Sequence, residues 1–267
     1  MSERRRRARR PSPLVVGVAA LAVGFFVVPL AGLVQRADWA NLWGDLASPE
    51  ARSALWLSLV CSTSAMVLSV LLGLPLAWTL ARVTFPGRAL VRGLVLLPLV
   101  LPPVVGGVAL LSAFSRRGTV GSVLYDQLGV QLTFSTAGAV LAETFVALPF
   151  FVITVEAGLR AMDPRVEGVA ATLGAGRWTT FRRVTLPLVA PAIVAGAVLA
   201  WARALGEFGA TITFAGNIEG RTQTLPLAVY LQLEQRPEAA IAMSLVLLAV
   251  SLVVLVALRD RWFGRAS

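Results

Sequence analysis

The sequence predicts an all-α membrane protein with six transmembrane helices, and two observations carry that prediction. First, 57% of the 267 residues are apolar and only 14% are charged, whereas soluble domains average about 45–50% apolar and about 25% charged residues. Second, six apolar runs are each long enough to cross a bilayer, which takes about 20 residues per helix. A soluble domain and a disordered chain are therefore both excluded.

The spans are predicted at residues 14–34, 54–81, 91–114, 136–159, 186–206 and 239–258. The first follows a basic stretch, as the core of a signal peptide would. Its apolar part is longer than the roughly 7–15 residues of such a core, so it is interpreted as an uncleaved span. Residues 1–13 then form a basic N-terminal tail, and residues 259–267 form a short C-terminal tail.

Prolines predict that some of the spans are bent. The third span reads Leu-Pro-Leu-Val-Leu-Pro-Pro over residues 97–103 and continues with glycines at 106 and 107. Span four contains Pro149, and span five begins with Pro187 and Pro191. Proline removes a backbone donor and kinks a helix. Two interpretations stay open, namely kinks that serve packing and bent helices that line a pathway.

The distribution of arginine predicts the orientation, since all 24 basic residues are arginine. Seventeen lie in the two tails and in the loops after spans two and four, six lie in the other loops, and Arg203 lies within span five. Cytoplasmic loops of membrane proteins carry the excess of positive charge. Both termini are therefore predicted to be cytoplasmic, which agrees with an even number of spans.

Composition also excludes several kinds of site. The chain has no histidine, and its single cysteine, Cys61, lies within an apolar run. The usual zinc and haem sites, an intrachain disulfide and a Ser-His-Asp or Cys-His centre are therefore excluded. Arginines in short loops orient a membrane protein, so no nucleic-acid partner is expected. We predict no catalytic residue, no metal site and no cofactor bound by this chain.

The cytoplasmic segment 163–187 is too patterned to be a plain linker. Asp163 is a favoured N-cap residue, and Pro164 suits the first position of a helix. Apolar side chains follow at helical spacing, and Gly174 and Gly176 are the predicted stop. The sequence therefore predicts a short amphipathic helix of about ten residues at the cytoplasmic surface.

A second helix, with Trp178 and Phe181, is predicted to lead into span five. The first helix could lie among lipid headgroups, but such helices normally present bulky apolar anchors. Here the centre of the helix is small, with Gly168, Ala170 and Ala171. Small residues permit a close approach, which favours a docking element for a protein partner.

At this point the segment resembles the signature loop of the permease subunits of binding-protein-dependent ABC importers. The pattern of that loop is E-A-A, three residues, G, nine residues, I, one residue and L-P. Gly174 is followed here by nine residues, Val184, one residue, and Leu186-Pro187. The start differs, because the acidic position falls on Gly168 and Glu167 stands one residue earlier.

This resemblance implies the transmembrane domain of a type I ABC importer over residues 54–258. It implies that the short helix couples the chain to a separate cytoplasmic ATPase subunit, which would hold ATP and Mg. The chain has no lysine, so it has no G-x-x-x-x-G-K-[ST] loop of its own, and we predict that it is not an enzyme. The coupling residues implied are Asp163, Glu167, Gly168, Ala170, Ala171, Leu173, Gly174, Leu186 and Pro187.

A second stretch is similar to the molybdate permease subfamily. It reads A-R-A-L-G-E-F-G-A-T over residues 202–211 and continues through residues 212–217 and 221–227. Residues 96–103 and 143–151 look similar too. Sulfate permeases share the A-R-A-[LM]-G-E-[FY]-G core and usually differ after it. The resemblance implies a homodimer in the bacterial cytoplasmic membrane that imports molybdate, or the closely similar tungstate, from an extracytoplasmic binding protein.

Alternative functions remain at this stage. Import of sulfate or thiosulfate is the nearest. An ion-coupled secondary transporter would predict an internal repeat and a cluster of acids near the bilayer midplane. We find neither in the sequence. A membrane enzyme is disfavoured, because histidine and clustered acids are missing.

The charged residues within the spans have predicted roles as well. Arg203 and Glu207 are four residues apart, so they can pair with each other, or Arg203 can attract the oxyanion at an outer gate. The residues predicted to form the translocation path are Arg203, Glu207, Gly209 and Thr211. Glu156 and Arg160 are interpreted as a structural pair.

Two further expectations concern the outer side. Glu143, near the outer end of span four, is a candidate for a solvated position in the mouth of a cavity. The outer loop 216–238 is expected to be a polar, solvated connection that offers Thr222, Gln223 and Thr224 to a binding protein.

Overall fold

The computed structural model describes residues 12–163 and 165–262, and the side chains of residues 255 and 257–262 lie outside that description. All regular structure in the described residues is helical. A π-helical segment, Phe181–Thr185, joins α9 to α10. The α-helices are α1 (Pro13–Gln35), α2 (Leu42–Ala47), α3 (Pro49–Arg82), α4 (Arg88–Val100), α5 (Pro103–Phe114), α6 (Gly121–Leu128), α7 (Thr136–Ala161), α8 (Arg165–Thr172), α9 (Arg177–Thr180), α10 (Leu186–Leu205), α11 (Gly209–Phe214), α12 (Leu225–Gln235) and α13 (Pro237–Trp262).

Five helical stretches of the described chain are long and apolar enough to cross a membrane. They are Pro13–Gln35, Pro49–Arg82, Thr136–Ala161, Arg177–Leu205 and Pro237–Val254. They correspond to five of the six predicted spans. The C-terminal tail predicted from residue 259 begins as helix, because α13 continues to Trp262. Most of the predicted N-terminal tail, residues 1–11, lies outside the described residues.

The third predicted span is not one continuous helix. It consists of α4 and α5, which are separated at Leu101 and Pro102. Both residues have extended backbone, with ψ angles of 135° and 133°. A proline disfavours helical backbone at the residue before it and donates no hydrogen bond. Because Pro102 and Pro103 are consecutive, the helix ends and a second one begins.

The core of the bundle is the packing of α3, α7 and α10 around Phe151. Glycines make this packing close. A Cβ on Gly73 would lie 2.5 Å from the Phe151 ring, and a Cβ on Gly158 would lie 2.5 Å from the Ala192 side chain. Small residues at helix contacts are typical of membrane bundles, where close packing replaces the hydrophobic effect as the force between helices.

The arginines after α3 and within α4 and α7 meet at one end of the bundle. The carbonyl oxygen of Leu80, near the end of α3, accepts hydrogen bonds from Arg88, Arg92 and Arg160. Glu156 pairs with Arg92 and, at 2.8 Å, with Arg160. Carbonyls at a helix C-terminus lack intrahelical partners and favour nearby cations. The predicted pair of Glu156 and Arg160 is confirmed, and Arg92 is an addition to it.

The expected solvated outer loop is wrong in its central part. Residues 225–235 form α12, and Thr222, Gln223 and Thr224 before it are buried. The Thr222 hydroxyl accepts a hydrogen bond from the backbone N–H of Ile218, and the N–H of Leu225 donates to Ser58. The bond to Ser58 holds the start of α12 against α3.

Candidate translocation path and coupling loop

Two interruptions of the helical chain lie next to each other. The first is the Leu101-Pro102 break between α4 and α5, and the second is the short turn between α10 and α11. A Cβ on Gly209, at the start of α11, would lie 2.8 Å from Pro103 Cβ and 3.2 Å from the backbone nitrogen of Val104. The two breaks are therefore in backbone contact.

The same contact continues along α5 and α11. A Cβ on Gly107 would lie 2.6 Å from Thr213 Cβ and 3.1 Å from the carbonyl oxygen of Ala210. The Thr213 hydroxyl donates within its own helix to the carbonyl of Gly209, at 2.7 Å. At membrane depth, interrupted backbone is tolerated only where protein covers it or where it lines a water-filled cavity. The junction of α5 and α11 is therefore the candidate gate.

Arg203 and Glu207 form the predicted pair, at the end of α10 beside this junction. The Arg203 Nη2 and Glu207 Oε2 atoms are 2.5 Å apart. The other carboxylate oxygen, Oε1, accepts the backbone N–H of Ala210 at 2.7 Å, in the first turn of α11. The Glu207 side chain is 1% exposed, whereas that of Arg203 is 26% exposed. Glu207 therefore stabilises both α10 and α11, and the oxyanion role of Arg203 stays a prediction.

The remaining acidic and hydroxyl groups of this region are buried. The solvated position expected for Glu143 is wrong, because the side chain is buried within the chain. It is 1% exposed and lies on α7, which packs against α3, α10 and α11. Thr211, predicted on the path, is also fully buried. Among the described residues, neither Glu143 Oε2 nor Thr211 Oγ1 has a hydrogen-bond partner.

A methyl group at residue 209 is expected to block movement at the gate. In Gly209→Ala, the new Cβ lies too close to Pro103 and Val104, so α5 and α11 must separate. Such overpacking costs about 1–3 kcal/mol. The matched control is Gly206→Ala, whose Cβ meets only the Ala202 carbonyl oxygen at 3.7 Å. Substrate uptake at equal membrane abundance is expected to fall in the first variant only, and equal uptake in both would contradict the assignment of the gate.

The predicted short helix of the cytoplasmic segment is confirmed as α8. The Asp163 Oδ1 atom accepts the backbone N–H of Arg165 at 2.9 Å, as an N-terminal cap does. Pro164 lies outside the described residues. The helix ends at Gly174, which has a φ of +83°, and the N–H groups of Gly174 and Ala175 donate back into the last turn. These are the two bonds of a Schellman ending.

Gly176 has a different position from the one predicted. It precedes α9 as the N-cap residue and does not take part in ending α8. Most of α8 is exposed, namely Arg165, Val166, Gly168, Val169, Ala171 and Thr172, and Leu173 directly after the helix is 82% exposed. Ala170 is half-buried. This is the surface predicted to dock a partner, and its role stays a prediction.

Glu167 is half-buried, and its carboxylate contacts the segment that leads into α10 and the end of α3. Its Oε1 atom accepts the hydroxyl of Thr185 at 2.7 Å. Its Oε2 atom is 3.4 Å from Nε of Arg82, at the end of α3. Glu167 therefore links α8 to the π-helical segment that leads into α10 and to the end of α3. Leu186 and Pro187 begin α10, which continues directly from the π-helical segment, so the missing N–H of the proline falls at that junction.

Sequence reasoning missed both partners of Glu167. Thr185 occupies the unspecified position between Val184 and Leu186 in the loop pattern, so the pattern gave no signal for it. Arg82 was counted only as a loop charge. The π-helical segment Phe181–Thr185 was not predicted either, although such segments are frequent at functional sites.

The described chain is a bundle of membrane-length helices with interrupted helices and a short exposed helix, α8, and this is the architecture of a membrane transport permease. The fold is shared with an alginate-importing bacterial ABC transporter, whose chain aligns with a TM-score of 0.73 at 19% identity, covering 94% of this chain and 96% of that one. The chain belongs to the family of binding-protein-dependent transport system inner membrane components, whose family model matches residues 52–263.

Relatives at higher identity carry more specific names. The molybdenum transport system permease protein ModB of Mycobacterium tuberculosis is 48% identical over 251 residues, which cover 93% of this chain and 92% of that protein. ModB of Escherichia coli K12 is 45% identical, with 83% and 96% covered. The sulfate transport system permease protein CysT of Salmonella typhimurium is 38% identical, with 90% and 88% covered.

Proposed function

We propose that this chain is the permease subunit of an ATP-driven importer of molybdate, with tungstate as a chemically equivalent substrate. The assignment of the substrate rests on the 48% and 45% identity to molybdenum permeases over most of the chain. The sulfate permease is more distant, at 38%. The residues 211–214 and 221–227, which follow the shared core, support molybdate over sulfate.

The proposed assembly has two copies of this chain, two ATPase subunits and one extracytoplasmic binding protein. The arginine cluster around Leu80 and the balance of charges between loops support a cytoplasmic position for that end of the bundle and for both termini. Helix α1 is apolar on every side, and none of its residues is buried within the chain. This supports a contact between α1 and either a partner subunit or lipid. ATP and Mg belong to the ATPase subunit.

Coupling follows the contacts of Glu167. The exposed face of α8 docks on the ATPase, and closure of the ATPase dimer moves α8 as a rigid element. Glu167 transmits the displacement to α3 through Arg82 and to α10 through Thr185. Helix α10 is a rod of 20 residues, about 30 Å long. Its far end carries Arg203 and Glu207, so the displacement reaches the α5–α11 gate.

At the gate, Arg203 is the chemical contact for the substrate. A guanidinium group suits the oxygens of a tetrahedral oxyanion, and this one is already partly exposed. Its pairing with Glu207 keeps the attraction weak, which allows the anion to leave. Import of the anion therefore needs ATP-driven motion and no chemical step on this chain.

The function is tested by the molybdenum content of cells grown at trace molybdate, measured by mass spectrometry. Deletion of the gene is expected to abolish accumulation, and the intact gene is expected to restore it even in excess sulfate. If the molybdenum content is unchanged and sulfate uptake falls, the assignments of the fold and of the coupling loop stand, but the substrate is sulfate. If neither changes, the transport proposal is wrong.

A further inference from the structure

Two open pockets adjoin each other at the end of the bundle where α8 and α9 meet α3. One, of about 430 Å³, is bordered by Arg82, Arg177 and Glu167 together with Thr180 and Thr185. The other, of about 400 Å³, is bordered by Pro75 and Trp178. Trp78, Arg177 and Phe181 border both pockets, so the two form one continuous cleft.

The first pocket has a mostly apolar lining that also contains charged side chains, and it carries net positive charge. Two arginines face one carboxylate, that of Glu167. The Arg82 side chain is only 16% exposed, and its Nε atom is 3.4 Å from Glu167 Oε2. Its Nε and Nη2 atoms have no hydrogen-bond partner among the described residues, whereas buried polar groups normally have one. A guanidinium group suits a phosphate group, whose oxygens accept two parallel N–H donors.

The second pocket is apolar and opens along an exposed side of α3. Trp178 stacks on Phe181 with ring centroids 5.9 Å apart. The residues Leu71, Pro75, Trp78 and Arg82 recur at intervals of four, three and four, so they share one face of α3. Leu71, Pro75 and Trp78 are all exposed. This apolar strip runs about 16 Å from Arg82 toward the middle of the membrane.

We propose that this cleft binds one anionic phospholipid of the cytoplasmic leaflet, an inference that takes its orientation from the proposed function. Arg82 and Arg177 hold the phosphate, and the groove of Pro75, Trp78 and Phe181 takes an acyl chain. Tryptophan is enriched at the membrane interface, and basic pockets between helices on the cytoplasmic side bind lipid headgroups. A cytoplasmic ATPase cannot contact the part of the apolar strip that lies within the hydrocarbon of the membrane. A free anion would contact the arginines but not the apolar strip.

The test uses the complete permease–ATPase complex, incubated with equal amounts of dioleoylphosphatidylglycerol and dioleoylphosphatidylcholine and examined by native mass spectrometry. The complex is expected to retain phosphatidylglycerol in preference. In Arg177→Gln that preference is expected to fall about fivefold. Arg177 is exposed and forms no ion pair among the described residues, so the variant is expected to fold. The matched control, Arg182→Gln, changes an exposed arginine outside both pockets and is expected to keep the preference.

Three results overturn the proposal. Equal retention of phosphatidylglycerol by Arg177→Gln and the wild type would exclude the cleft as the lipid site. Displacement of the lipid by an equal concentration of inorganic phosphate would identify a soluble-anion site in its place. Retention by the isolated permease that is lost when the ATPase binds would mean that the ATPase covers the cleft, which also contradicts the proposal. None of these readouts depends on which oxyanion the complex transports.

Discussion

Removal of the Arg203 charge is expected to lower the amount of folded permease in the membrane. In Arg203→Gln, the buried carboxylate of Glu207 loses its cation, 2.5 Å away, and keeps only the N–H of Ala210. Breaking a buried ion pair from one side costs about 3–5 kcal/mol, because an uncompensated charge stays buried. The measurement is the abundance and the thermal stability of the purified chain.

The double variant Arg203→Gln/Glu207→Gln separates structure from transport. It removes both charges and leaves two amides that can bond to each other, so its stability is expected to return close to that of the wild type. If Arg203 attracts the oxyanion, uptake at trace molybdate stays about tenfold lower in this stable variant. Normal uptake would contradict the oxyanion role and leave the pair as a purely structural element.

Loss of the Glu167 side chain is expected to uncouple ATP hydrolysis from transport. In Glu167→Ala, α8 loses its hydrogen bond to Thr185 and its ion pair with Arg82. Hydrogen bonds to charged groups contribute about 1.5–3 kcal/mol each. The exposed face of α8 is unchanged, so the ATPase is expected to remain bound and active while molybdate uptake falls. Both rates are measured on the same reconstituted complex.

Two controls identify the contact that matters. Glu167→Gln keeps an acceptor for the Thr185 hydroxyl and loses the charge that faces Arg82, so it is expected to retain part of the coupling. Thr185→Val removes the hydroxyl and keeps the shape, and it is expected to resemble Glu167→Ala. If Glu167→Ala releases the ATPase from the complex, Glu167 belongs to the docking surface and the transmission through α3 and α10 is wrong.

Most of the helical architecture could be predicted from the sequence, because long apolar runs leave a membrane chain few alternatives. The break in the third span could not be predicted, since its three prolines indicate bending but do not show where the helix ends. Consecutive prolines at 102 and 103 give the physical reason for the complete break. The short helices α11 and α12 were missed because six to eleven residues carry too little periodicity.

The sequence predicted which residues form the candidate site better than it predicted the contacts between them. Local signals were sufficient for Asp163 and Gly174, because a cap and a left-handed glycine act within one turn. The partnership of Glu167 with Arg82 and Thr185 depends on three segments that only the fold brings together. Glu143 shows the same limit, since its burial depends on helices far away in sequence.

The most direct test of the central claim is ATP-dependent uptake by proteoliposomes that contain the permease, its ATPase and the binding protein. Molybdate and sulfate are supplied first at equal trace concentrations and then with sulfate in excess, and the anion accumulated in the lumen is measured by mass spectrometry. The account predicts molybdate accumulation that requires ATP, resists excess sulfate and disappears in Glu167→Ala. Equal accumulation of both anions, or uptake that continues without ATP, would contradict it.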